Sequence, residues 1–407
     1  MGPPKQKKCK PTPPPSPIPS LPYWFVLQCV ASISRLYYPS LALVSKSFRS
    51  LLASRELYDL RSRLGNTESC LYVCVDSYFT LAQKWYTLCR KPDRTIYEWS
   101  CGYVSCGYAL APVSSEECSC LTASGLVAVG SDIYSISVPN LYGRPDPSSG
   151  YSSKVLDCKS HTWREAPGMK AVHDIVSACV LDKKIYALGL RVDVVAKTGE
   201  NSFQVFDTEE EIWHPLPAPD QATAGLFSRF ITARIDGKIY AADSHGYAAA
   251  VYNPEEHSWD NNVNRNICRN IIDLHSKCVI GNVLYSLECE SDTDPDRSRR
   301  EVRWYDTVVG RWREVIGLKG AIRNFNHPGP NFRLANYGGK LAILWEINWL
   351  RVSEFNFHRD TKKVWGAVVA LERRQSDDEI CGKVEWCDEL LTIPIPYRLL
   401  KGVAVTV

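Results

Sequence analysis

The sequence predicts a mainly β fold: a six-bladed β-propeller preceded by a small three-helix module. Three observations carry that expectation. First, an apolar run ends in a large apolar residue and an acid or Asn, a polar turn follows, and Trp arrives seven positions after the apolar residue. The copies are Phe206-Asp207…Trp213, Leu156-Asp157…Trp163, Tyr252-Asn253…Trp259 and Tyr305-Asp306…Trp312. Second, a turn dipeptide followed by an apolar residue and Tyr precedes these copies, as in Asp182-Lys183-Lys184-Ile185-Tyr186, Asp236-Gly237-Lys238-Ile239-Tyr240 and Gly281-Asn282-Val283-Leu284-Tyr285. A repeat period of about fifty residues means stacked supersecondary units, none of which buries its own faces alone. Third, from Ser20 to Gly65 the apolar spacing changes to steps of three and four, which is helical.

Composition narrows the function classes. The chain has 407 residues, 45% of them apolar, with 24 Gly and 25 Pro, so it is globular and rich in turns. Twelve Trp and 21 Tyr against two Met favour sheets. A net charge of +3 gives no electrostatic case for nucleic acid or an anionic membrane as partner. The Lys- and Pro-rich start does not resemble a secretion signal, and no run of about eighteen apolar residues occurs. The expected location is therefore cytoplasm or nucleus, with the sixteen cysteines reduced.

Taken in order, residues 1–19 combine Lys5, Lys7, Lys8 and Lys10 with a proline run, and read as an extended, solvated leader. Residues 20–65 form the helical module. Leu21-Pro22 opens the first helix, with Phe25, Val26, Cys29, Val30 and Ile33 at helical spacing. After Pro39 a second helix runs through Leu41, Leu43, Val44, Phe48, Leu51 and Leu52. Glu56 to Leu64 makes a third, stopped by Gly65. The order Ser20-Leu21-Pro22, Leu27, Arg35-Leu36-Tyr37-Tyr38-Pro39, Leu41 and Leu43-Val44-Ser45-Lys46-Ser47-Phe48 resembles an F-box, in the form found in the plant F-box/kelch-repeat family. That resemblance implies docking on a Skp-family adaptor, and through it a cullin, by Leu21, Pro22, Leu27, Arg35, Leu41, Val44 and Lys46. One departure is visible: the family's acidic pair after Leu-Pro is replaced here by Tyr23-Trp24. An acid in the first turn would complement the helix dipole.

Residues 68–407 form the propeller. Strand character begins at Ser69–Val75 and Trp85–Leu88, and the stretch 91–119 shows no clear period. The apolar-Tyr element recurs at Ile133-Tyr134, Ile185-Tyr186, Ile239-Tyr240 and Leu284-Tyr285, and is blurred at Leu341 and at Leu390. Trp anchors stand at 163, 213, 259, 312 and 365. Trp85 lacks a preceding element and Leu390 lacks a following Trp. Circular closure resolves both: the last strands join those at 68–90 in a sixth blade, which removes free edges. The pattern resembles degenerate kelch repeats without their double glycine, and five or seven blades stay compatible with it.

No residue set demands chemistry. Cys101, Cys106, Cys118 and Cys120 lack the tight paired spacing of structural zinc. The eight His form no metal motif, and no phosphate-binding glycine loop occurs. The expectation is a non-catalytic protein without cofactor. What the F-box resemblance implies is the substrate-recognition subunit of an SCF-type ubiquitin ligase, its propeller holding a protein substrate. The loops leading into the innermost strands carry His173, Arg229, Arg269, Arg323 and Asn324, which would suit an acidic or phosphorylated segment. Two other readings stay open: an interaction scaffold whose F-box no longer docks, and a kelch-fold metalloenzyme.

Overall fold

The structure is a computed structural model. It describes residues 16–18, 20–77, 79, 83–91, 105–113, 125–136, 152–169, 174–193, 198–219, 230–243, 249–261, 267, 276–290, 299–322, 332–347, 361–374 and 378–407. The described residues hold four α-helices followed by six four-stranded antiparallel sheets.

The helices are α1 (Tyr23–Ala31), α2 (Tyr38–Ala42), α3 (Lys46–Leu52) and α4 (Arg55–Arg63). The expected second helix is thus two. The break falls at Leu43–Ser45, where Ser45 takes extended backbone and its hydroxyl accepts from the Phe48 N–H at 3.1 Å, starting α3 afresh. Val26, Leu27, Val30 and Ala31 of α1 pack with Tyr38, Phe48, Leu51, Leu52 and Leu57 to form a small core.

The first sheet joins β1 (Ser69–Ser77), β2 (Gln83–Arg90) and β3 (Tyr108–Pro112) to the last strand, β24 (Tyr397–Thr406). The second comprises β4 (Leu126–Val129), β5 (Asp132–Ser135), β6 (Ser152–Asp157) and β7 (Thr162–Pro167). The third comprises β8 (Asp174–Leu181), β9 (Lys184–Asp193), β10 (Thr198–Asp207) and β11 (Ile212–Leu216). The fourth holds β12 (Phe230–Ile235), β13 (Lys238–Asp243), β14 (Ala249–Asn253) and β15 (Ser258–Asp260). The fifth holds β16 (Lys277–Ile280), β17 (Val283–Glu290), β18 (Arg299–Asp306) and β19 (Arg311–Glu314). The sixth holds β20 (Phe332–Tyr337), β21 (Lys340–Ile347), β22 (Thr361–Arg374) and β23 (Glu379–Pro394). One strand of each sheet lies beside its counterpart in the next: β24 by β4, β4 by β8, β8 by β12, β12 by β16, β16 by β20 and β20 by β24. The ring is closed, and the architecture is a six-bladed β-propeller.

Local chemistry explains the repeat. The dipeptides Asp182-Lys183, Asp236-Gly237, Gly281-Asn282 and Gly338-Gly339 have positive φ at both residues, the two-residue hairpin geometry that matches strand twist. They join β8, β12, β16 and β20 to the strand that follows each, so the apolar-Tyr element lies on the second strand of its sheet. The Trp anchors cement neighbouring sheets: the Trp213 indole donates to the Pro167 carbonyl at 2.8 Å, and Trp259 donates to that of Pro217 at 2.7 Å. Apolar clusters accordingly span sheet pairs, as Tyr134 and Val155 do with Ile185, Phe206 and Trp213.

Closure differs in detail from the sequence reading. A single strand, β24, completes the first sheet, paired with β1 from Ser69↔Thr406 to Ser77↔Tyr397. The stretch around Leu390 is no innermost element, because it lies in β23, the outermost strand of the sixth sheet. In the same strand the Asp388 side chain is buried, accepting from the Ser105 hydroxyl at 3.0 Å and the Tyr108 N–H at 2.9 Å across the blade boundary. The stretch without a period supplies β3.

Candidate functional site

The helical head presents apolar side chains to solvent in two places. In α1 the residues at i, i+3, i+4, i+7 and i+8 (Tyr23, Val26, Leu27, Val30 and Ala31) face the head core, which turns Trp24 and Phe25 outward. Trp24 is 63% and Phe25 42% exposed, their rings meeting edge to face at 5.7 Å. Leu21 and Pro22 stand just before them, also exposed. In the turn between α2 and α3, Leu43 is 79% and Val44 65% exposed, followed by the exposed Lys46. Large apolar groups held in water by a well-formed helical scaffold mark a surface that meets a partner.

No acid lies in the first turn of α1, and Pro22 caps the helix without a side-chain bond. The nearest carboxylate comes from α4, where Glu56 accepts from the Tyr23 hydroxyl at 3.1 Å. Partial burial first, and Glu56 second, raise the Tyr23 pKa.

The seven adaptor-side expectations therefore separate. Leu21, Pro22, Val44 and Lys46 are exposed, Leu41 is half-buried against the head core, and Leu27 lies inside it. Arg35 corrects the expectation outright, because it is buried in the joint between head and propeller. Its guanidinium donates to the Cys158 carbonyl at 2.8 Å, and it stands 5.3 Å from the Tyr58 ring centre. Tyr72 donates to the same carbonyl at 3.0 Å and meets His161 Nε2 at 2.8 Å. Burial, then the Arg35 charge, lowers the His161 pKa to about 4, so it is neutral at pH 7. Burial also raises the pKa of the Cys70 and Cys158 thiols, which keeps them protonated.

Glu68 fastens this joint. Its carboxylate accepts from the buried Arg61 guanidinium at 2.7 Å, from the Ser34 hydroxyl at 2.8 Å and from the Arg35 backbone N–H. Its backbone exchanges hydrogen bonds of 2.9 and 3.0 Å with Val407, at the chain's last residue. Sequence reasoning missed Trp24, Phe25 and Leu43 as surface residues. The heptad-like stripe from Tyr23 to Ala31 was the signal that could have turned the first two outward.

The five residues expected at a substrate surface, His173, Arg229, Arg269, Arg323 and Asn324, lie outside the described residues. Cys101, Cys118 and Cys120 do too. Among the described residues no three His, Cys, Asp or Glu side chains gather as a metal site.

A closed six-bladed propeller with an N-terminal helical head bolted to its closing seam defines the class of protein. Residues 85–391 match the family model described as FKB95, Kelch-repeats domain. An F-box/kelch-repeat protein of Arabidopsis thaliana is 42% identical over 391 residues, covering 95% of this chain and 99% of the relative. A second from the same plant is 38% identical over 416 residues, covering 98% and 97%. A putative third is 40% identical over 405 residues, covering 98% and 99%. The chain belongs to the F-box/kelch-repeat family.

Proposed function

We propose that this chain is the substrate-recognition subunit of an SCF-type ubiquitin ligase, working in the cytoplasm or nucleus. The single observation that carries the docking half is the set of exposed apolar side chains on the head, Leu21, Trp24, Phe25, Leu43 and Val44. Covering them with a Skp-family adaptor would remove their surface from water at roughly 25 cal/mol per Å², and through the adaptor the chain would meet a cullin. The propeller would then hold a protein substrate beside the ubiquitin-loaded enzyme. Such a subunit breaks no bonds; it raises the effective concentration of one protein near another.

The joint supports this reading, because Arg35, Arg61 and Glu68 hold the head on the ring instead of leaving it on a loose tether. A rigid arm fixes the distance between adaptor and substrate. The absence of an acid in the first turn of α1 favours the second reading, an interaction scaffold that no longer docks. Co-purification with a plant Skp-family adaptor separates the two. The wild-type chain is expected to capture the adaptor, and the Leu43→Asp, Val44→Asp double variant to lose it at unchanged melting temperature. Failure of the wild type to capture the adaptor refutes ligase membership. Full capture by the variant refutes the assignment of the surface.

A further inference from the structure

The innermost strands do not meet on the propeller axis. They enclose a cavity of about 460 Å³ lined from β8, β12, β16, β20 and β24. That size suits a small-molecule ligand. Its polar lining includes Ser177, Thr232, Arg234, Lys277, Asn336 and Lys401, and no Asp or Glu lines it among the described residues. Three cations thus come from three different sheets. Lys277 Nζ is buried, Lys401 Nζ donates to the Leu126 carbonyl at 2.7 Å, and Arg234 is exposed. Two thiols in the wall, Cys179 and Cys278, add no negative charge, since burial raises both their pKa values, that of Cys179 to about 12.

Cationic side chains brought to one cavity from three sheets offer an anion charge-assisted hydrogen bonds, the stronger class of such bonds. Hydroxyls at Ser177 and Thr232, 3.1 Å apart across β8 and β12, and the Asn336 amide supply neutral donors around the same space. Donors arriving from five blades suit an anion with oxygens in several directions better than a single planar carboxylate.

The cavity reaches the Gly281-Asn282 turn. The corresponding turn at Gly338 lies against Ser69, the first residue of β1, where an added Cβ would stand 3.1 Å from that of Ser69. This end is therefore the head's end of the ring, and the starts of the innermost strands are at the other.

We propose that the propeller channel binds a small, multiply charged phosphorylated metabolite. The site ties together strands of five blades, so its occupant stabilises the ring as well as filling it. The test is calorimetric titration of the full-length protein with inorganic pyrophosphate, at low and at high sodium chloride. One-to-one binding that weakens with salt is expected, falling about tenfold in Arg234→Gln and in Lys401→Gln. Arg234→Gln alters an exposed side chain, so it serves even where Lys401→Gln compromises folding. Absence of saturable binding, or wild-type affinity in Arg234→Gln, overturns the proposal. So does a glutamate-rich peptide that binds where pyrophosphate does not.

Discussion

Glu68→Gln tests whether the head is held by charge or only by contact. The Arg61 and Glu68 side chains are 3% and 28% exposed and meet at 2.7 Å. Gln keeps the size and can still accept from Ser34 and Arg35, so the substitution removes mainly the charge of the pair. Unit charges about 4 Å apart interact by about 4 kcal/mol at an effective dielectric near 20. Arg61 keeps its bonds to the Ile33 carbonyl at 2.7 Å and the Asn66 carbonyl at 2.6 Å, and the open side of Glu68 is screened by solvent. The expected loss is therefore about 2 kcal/mol, below the 3–5 kcal/mol of a fully stranded buried ion. Urea unfolding at pH 7, followed by Trp fluorescence, reads it as a lower midpoint at similar slope. The control is Glu209→Gln, whose partner Lys183 sits at 2.9 Å in open solvent and whose loss should leave the midpoint unchanged. A wild-type midpoint for Glu68→Gln, or equal shifts in both variants, would refute the argument.

Four further outcomes follow from the same structure. Gly317 has φ +89° and a Cβ there would lie 2.9 Å from the Gly382 carbonyl oxygen, so Gly317→Ala should cost about 3 kcal/mol in urea unfolding. Gly281→Ala, at φ +54° in open space, should cost about 1 kcal/mol. The His161 pKa of about 4 lies below its unfolded value near 6.5, so the unfolded chain binds the proton more readily between those pH values. Its contribution is full above pH 6.5 and drains as pH falls toward 4, about 2 kcal/mol being lost from pH 7 to pH 5; His161→Gln should flatten that part of the stability profile. A chain ending at Pro396 lacks β24 and exposes the edge of β1, so it should aggregate and regain a cooperative melt when a peptide of residues 397–407 is added. A cooperative melt without the peptide counts against closure by β24.

What was legible in the sequence was what short-range chemistry determines. Asp236-Gly237 and Gly281-Asn282 announce tight hairpins because both residues of each take positive φ. Four Trp anchors read correctly because the large apolar residue and its Trp face each other across one hairpin, as Phe206 does Trp213 and Leu156 does Trp163. The sixth sheet broke the rule: Trp365 sits on the third strand, opposite Trp345, and the fourth strand carries Trp386 instead. The misplaced residues of the candidate site are those whose surroundings come from far along the chain. Arg35 looks like a surface cation until Cys158, 123 positions away, places a carbonyl against it. Nothing near Asp388 in sequence shows that it is buried, because the N–H it accepts from belongs to Tyr108, 280 positions away.

The most distant pairing of all sets the order of assembly. Val407 can bond Glu68 only when β24 has paired with β1, and Glu68 is the residue whose carboxylate gathers Arg61, Ser34 and the Arg35 N–H. The head's own core, a few short helices around Leu27, Phe48 and Leu57, is too small to supply much stability by itself. Attachment to the ring therefore completes the head as well as positioning it. A ring left open has an unpaired β1 edge and a head without its anchor, so under the proposed function adaptor docking would be coupled to closure of the propeller.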